Sequence, residues 1–145
     1  MSRGSKIIFL LKIRKKFPSF IRKFLDLLIR IIFSCDIPST VKFGENLKLP
    51  HLALGVVIHP RCEIGSDCKI YQNVTIGSRN GSHPPTIGNN VLIGAGAVIL
   101  GEITIGNNVK IGANAIVVKD VPDNAVVMGP AAQVIGGLQD DHICT

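Results

Sequence analysis

The sequence predicts an all-β fold, a parallel β-helix of triangular coils, with a basic amphipathic helical segment in front of it. Three observations predict this. From Ile58 onward an aliphatic residue returns at every sixth position: Ile58, Ile64, Ile70, Ile76, then Ile87, Ile93, Ile99, Ile105, Ile111 and Val117. Four places after each except Ile76 comes a small or branched residue: Cys62, Cys68, Val74, Val91, Ala97, Ile103, Val109, Ala115, Val121. Glycine often follows the aliphatic residue, as in Ile64-Gly65, Ile76-Gly77, Ile93-Gly94 and Ile111-Gly112. A helix repeats its apolar face about every 3.6 residues and a half-buried strand every two, so neither demands this period.

A hexapeptide repeat builds a solenoid in which short strands alternate with tight turns and each coil stacks on the one before. Three flat sides close a triangle, so a coil takes about eighteen residues, with successive coils ~4.8 Å apart. The aliphatic residues form internal ladders. Corners at Gly65, Gly88-Asn89-Asn90 and Gly106-Asn107-Asn108 are expected to use backbone with positive φ.

A chain of 145 residues buries one modest core. The expected division is a basic amphipathic helical segment over 1–34, the β-helix over 35–135 and a flexible polar tail over 136–145, to which no role is assigned. Charge follows the same division. Residues 1–33 hold nine Lys/Arg and one Asp, a net +8, while residues 34–145 hold seven Lys/Arg and nine Asp/Glu, a net −2. The basic stretch lacks the glycine-rich, aromatic or zinc framework of a nucleic-acid reader, so no nucleic acid is expected. From Pro18, Ser19, Arg22, Lys23, Asp26 and Arg30 fall at helical steps and leave Phe20, Ile21, Phe24, Leu25, Leu28, Ile31 and Ile32 to the remaining face. Two uses of that face stay open: contact with the inner membrane through residues 6–33, or packing on protein. No apolar run reaches the ~18 residues of a spanning helix, and no signal-like cleavage site follows, so the expectation is a cytoplasmic protein, peripheral at most. Cys35, Cys62, Cys68 and Cys144 make no C-x-x-C pair and no zinc spacing, so reduced thiols and no metal are expected.

The repeat breaks twice. Ile76 to Ile87 spans eleven residues where six would serve, so five extra residues bulge out between Ser78 and Thr86. Before Ile58 the ladder runs Val41, Leu47, then Leu52 or Ala53, and His51 sits beside the slip. Groups that leave a rigid scaffold are the usual carriers of binding and chemistry.

The stretches CDIPSTVKFGENLKLPHLALG and YQNVTIGSRNGSHPPTIGNNVLIGAGAVILG resemble the hexapeptide-repeat acyltransferases, in the serine acetyltransferase-like branch that includes the short exopolysaccharide O-acetyltransferases of the colanic-acid type. The resemblance covers roughly residues 36–135 and implies coils that wind left-handed. It also implies that His51 is the general base and that Asp36, fifteen residues earlier, orients it. An acceptor hydroxyl would attack the thioester of acetyl-CoA directly, with a backbone N–H near Gly77-Ser78 stabilising the oxyanion. His83 would contact acceptor or thioester, with Ser82 and Tyr71 bordering the acceptor. The coenzyme would lie between subunits of a homotrimer, its pantetheine arm along Gly77, Ala95 and Ala113, with Lys110 and Lys119 toward the nucleotide. The family's C-terminal turn is altered here, Gly129-Pro130-Ala131-Ala132-Gln133 carrying no basic residue.

Two positions that are charged in the serine enzymes hold Pro50 and Ser82. Each ionic hydrogen bond lost is worth on the order of 1.5–3 kcal/mol, which favours a sugar hydroxyl, in capsule or exopolysaccharide assembly, as the expected acceptor. Serine O-acetylation is the alternative, and a catalytically silent β-helix a further one. A γ-carbonic-anhydrase-like metalloenzyme needs a histidine spacing absent from His51, His59, His83 and His142.

Overall fold

The computed structural model describes residues 3–131, and the tail expected over 136–145 lies outside them. Twelve short strands form three parallel four-stranded sheets, one for each side of a prism. One side stacks β1 (Lys42–Phe43), β3 (Glu63–Ile64), β6 (Thr86–Ile87) and β9 (Thr104–Ile105). A second stacks β2 (Val57–Ile58), β5 (Thr75–Gly77), β8 (Val98–Leu100) and β11 (Ile116–Val117). The third stacks β4 (Lys69–Ile70), β7 (Leu92–Ile93), β10 (Lys110–Ile111) and β12 (Val126–Val127).

The ladders are those of the hexads: Ile58, Ile64, Ile70, Ile76, Ile87, Ile93, Ile99, Ile105, Ile111 and Val117 are all buried. Ala53, not Leu52, continues the ladder at the slip. Cys62 and Cys68 occupy equivalent buried corners and donate to the carbonyls of Pro85 and Gly88, each at 3.2 Å. The strand register also measures the breaks. A regular step is eighteen residues, as from Thr86 to Thr104. The step from Glu63 to Thr86 is twenty-three, which puts the five-residue bulge after β5, and the step from Lys42 to Glu63 is twenty-one, which leaves three extra residues at the turn of His51.

The corner between the first and third sides meets the expectation at Asn90 and Asn108 and departs from it at Gly65, Gly88 and Gly106. The positive φ belongs to Asn46, Asp67, Asn90, Asn108 and Asn124, whose side chains hydrogen-bond between coils in two runs, Asn46 to Asp67 at 3.0 Å, and Asn90 to Asn108 at 2.9 Å and Asn108 to Asn124 at 3.0 Å. Gly65, Gly88 and Gly106 are needed for close approach instead, since a Cβ on Gly88 would stand 2.8 Å from the backbone of Gly106 in the next coil.

Ahead of the prism, α1 (Arg3–Ile13), a 3-10 turn (Arg14–Lys16) and α2 (Ser19–Phe33) form a helical pair. α1 packs against the turn Pro50–Ala53 and buries Ile7 and Leu11 completely. Arg14 is buried at the junction, donating to the carbonyl of Ile37 and pairing with Asp26 of α2 at 2.6 Å. Burial pushes its pKa down, opposed by the Asp26 charge. Lys15 donates to the carbonyl of Val41 at 2.7 Å. Among the described residues no helix is long and apolar enough to cross a membrane.

Candidate active site

His51 stands on the slip. His51, Leu52 and Ala53 all have left-handed φ, 54°, 58° and 59°, and none is glycine. Such conformations cost of order 1–3 kcal/mol each and persist only where the surroundings over-determine them. Here the surroundings are the buried side chains of Leu49, Ala53 and Val56 and the helix α1 lying across the turn. Two backbone bonds close it, Leu54 N–H to His51 O at 3.2 Å and Val56 N–H to Ala53 O at 2.9 Å. The consequence is that the imidazole is exposed on the outside of a corner.

Asp36 opens the coil above. Its N–H donates to the Val56 carbonyl at 2.8 Å and its carbonyl accepts from Ile58 N–H at 2.9 Å, a parallel bridge to Val57. The turn that carries His51 therefore ends on the residue to which Asp36 is hydrogen-bonded. No hydrogen bond joins the two side chains. The carboxylate of Asp36 instead faces Arg30 of α2, at 3.6 Å.

The remaining expected residues divide between two corners. Below His51, on the corner joining the third and second sides, lie Tyr71, Ala95 and Ala113, with Lys110 exposed on the adjoining strand β10. The ammonium of Lys69 sits 4.7 Å above the ring of Tyr71. On the same corner the Oε1 of Gln72 is buried without a hydrogen-bond partner. At the far end of the second side, where β5 leaves the prism, lie Gly77, Ser78, Ser82 and His83, and Lys119 stands exposed on the same corner after β11. His83 borders a cleft of about 370 Å³ with Arg61, Glu63, Thr86 and Glu102. A flat side of about five residues at roughly 3.3 Å each separates the two corners. One chain therefore does not gather His51 and His83 into one pocket.

The bulge contains a residue that sequence reasoning passed over. Asn80 and Gly81 have φ of 52° and 80°, the positive pair of a type I′ turn. Ser82 N–H donates to Arg79 O at 3.0 Å and Arg79 N–H to Ser82 Oγ at 3.3 Å. Arg79 thus stands opposite Ser82 across the turn. The signal was Asn80-Gly81, the dipeptide that favours this turn. Among the described residues no group of three His, Cys, Asp or Glu is arranged to hold a metal.

Residues 84–119 match the bacterial transferase hexapeptide (six repeats) model. The chain is 43% identical over 119 residues to a serine acetyltransferase of Helicobacter pylori, covering 80% of this chain and 69% of that protein. It is 47% identical over 113 residues to a serine acetyltransferase of Mycobacterium tuberculosis, 76% of this chain and 49% of that one. The serine acetyltransferase of Neisseria gonorrhoeae, solved in complex with serine, superposes with a TM-score of 0.81 at 35% identity over 90% of this chain and 56% of that one. Isoform 3 of the Entamoeba histolytica enzyme, solved in complex with cysteine, superposes at 0.82 and 31% identity over 94% and 51%. The chain thus spans about half the length of several relatives it matches. The likeness implies left-handed winding of the coils.

These findings overturn the sugar acceptor and its place in polysaccharide assembly. That expectation rested on two neutral residues, Pro50 and Ser82, standing where the serine enzymes carry charge. The matching relatives are serine acetyltransferases, and the particular closeness to exopolysaccharide enzymes is not among the findings. By sequence identity and by backbone, this chain belongs to the serine acetyltransferase family of hexapeptide-repeat transferases.

Proposed function

We propose that the chain is an acetyl-CoA-dependent serine O-acetyltransferase. The observation that carries the reading is the match to the Helicobacter pylori serine acetyltransferase over more than two thirds of both chains, including the outward-facing histidine turn. The hydroxyl of serine attacks the thioester carbonyl, the Oγ–C bond forms as the C–S bond breaks, and His51 takes the hydroxyl proton and passes it to the departing sulfur. No covalent enzyme intermediate is required. Asp36 orients His51 by turning its carboxylate from Arg30 toward the ring. A backbone N–H at Gly77-Ser78 stabilises the oxyanion.

Two features support the substrates. Buried acceptors are normally satisfied, and the orphan Gln72 Oε1, on the corner of Ala95 and Ala113, suits an amide N–H of the pantetheine arm. Lys110 and Lys119 are the cations for its nucleotide end. On the other corner, Arg79 is the cation for the serine carboxylate. Because the two corners lie at opposite ends of one side, the complete site needs His51 from one subunit and the bulge from its neighbour, as in a homotrimer. The purified protein with acetyl-CoA and L-serine should release CoA thiol and form O-acetylserine; no release above the buffer rate would sink the reading.

A further inference from the structure

The two N-terminal helices spend their apolar surface differently. α1 sets Ile7 and Leu11, and the 3-10 turn after it Arg14, three or four residues apart, against the end of the prism. α2 turns Leu25, Asp26 and Ile29 inward, where Asp26 meets Arg14. Its opposite face carries Phe20, Phe24, Leu27 and Ile31, again in steps of three and four, at 82, 57, 53 and 68% exposure. Nothing among the described residues covers this stripe. Exposed Lys23 and Arg30 run along one border. Along the other, Leu28 and Ile32 lead into an apolar notch of about 160 Å³ shared with Leu10 and Ile13 of α1.

We propose that the outer face of α2 docks on an anionic lipid bilayer, lying in the headgroup plane. The sequence alone left membrane and protein open for this segment; in the structure α1 and the inner face of α2 pack on protein, and the outer face of α2 is left uncovered among the described residues. Charge selects lipid over a second copy of the chain. Residues 1–33 carry a net +8 and Lys23 and Arg30 border the stripe itself, so two α2 faces pressed together would set like charges against each other, whereas anionic headgroups neutralise them. A helix of fifteen residues with aromatic and aliphatic side chains on one face and bordering cations is suited to lie at such an interface.

The test uses the full chain with large unilamellar vesicles, either phosphatidylcholine alone or phosphatidylcholine with a third phosphatidylglycerol, in sedimentation assays at low salt. The protein is expected to sediment with the anionic vesicles and to stay in solution with the neutral ones. Phe20→Ser/Phe24→Ser and, separately, Lys16→Glu/Lys23→Glu should each weaken binding at least tenfold, with melting temperatures unchanged because all four side chains are exposed. Absence of binding to anionic vesicles, or binding that Phe20→Ser/Phe24→Ser does not weaken, overturns the proposal. So does a vesicle-free assembly larger than a trimer that this variant dissolves while the unaltered chain ignores vesicles, since a second copy then covers the stripe.

Discussion

The guanidinium of Arg30, in the last turn of α2, stands 3.6 Å from the carboxylate of Asp36, at the first rung of the prism. The helical pair is thereby tied to the carboxylate assigned to orient His51. Both side chains are substantially exposed, so the pair contributes at most about 1 kcal/mol, and its loss frees the carboxylate for the ring. Arg30→Gln should leave kcat within about threefold, whereas Asp36→Asn should lower it by about 10², the low end of general acid–base contributions. Steady-state kinetics on the two variants check this; a loss in Arg30→Gln as large as in Asp36→Asn would make the arginine essential to positioning the carboxylate.

Arg79 gives the second prediction. A charged hydrogen bond is worth about 1.5–3 kcal/mol, so Arg79→Gln should raise the KM for serine roughly ten- to hundredfold with a small change in kcat and in the KM for acetyl-CoA. Ser82→Arg in that background should restore much of the loss, because the turn sets positions 79 and 82 opposite each other. If the KM for serine does not move while the parent enzyme acetylates serine, another group reads the carboxylate.

Glycines that follow a ladder isoleucine at different corners differ in how much room a Cβ would find. A Cβ on Gly94 would lie 2.5 Å from the Ala113 nitrogen and 2.7 Å from the Gly112 carbonyl carbon, so the coils must part. Gly94→Ala should cost about 1–3 kcal/mol in urea denaturation. A Cβ on Gly77 meets only the far end of Leu100, at 3.3 Å. Gly77→Ala should stay within about 1 kcal/mol of the parent while raising the KM for acetyl-CoA.

The ladder cysteines predict an alkaline limit. Burial pushes the Cys62 thiol up to about 12 and the Cys35 thiol up to about 11, from an ordinary value near 9. Between pH 9 and those values the unfolded chain has lost the protons that the folded chain keeps. Stability is therefore fully present below pH 9 and falls as pH rises toward 11–12. In a Cys144→Ser background, thiol labelling at pH 8 should be slow in the native protein and rapid for three cysteines in denaturant. Fast native labelling would place these thiols outside the core.

Where packing sets the pattern, the residues announce it. The Ile58-to-Val117 ladder is legible because an inward position on a narrow prism admits only an aliphatic side chain, and the excess between Ile76 and Ile87 counts the bulge. Of the corner sets expected at positive φ, Asn90 and Asn108 adopt it while Gly65, Gly88 and Gly106 do not, because composition does not separate a glycine needed for close approach from a residue held at positive φ. The turn at His51 announces only its existence: His-Leu-Ala has no propensity for three left-handed residues, and tertiary packing from α1 imposes them. The pairing of Asp36 with Arg30 depends on how α2 docks, and the place of Arg79 opposite Ser82 on the turn between them. Weighing Pro50 and Ser82 as two lost charges led to the sugar acceptor.

The central claim is that the strained turn presents His51 as the base for acetyl transfer to serine. Its most direct measurement is the rate of CoA release with saturating acetyl-CoA and L-serine for the parent and for His51→Asn. The account predicts a loss of about 10²–10⁴ in kcat with little change in the KM for acetyl-CoA. A variant that turns over at the parent rate would contradict it.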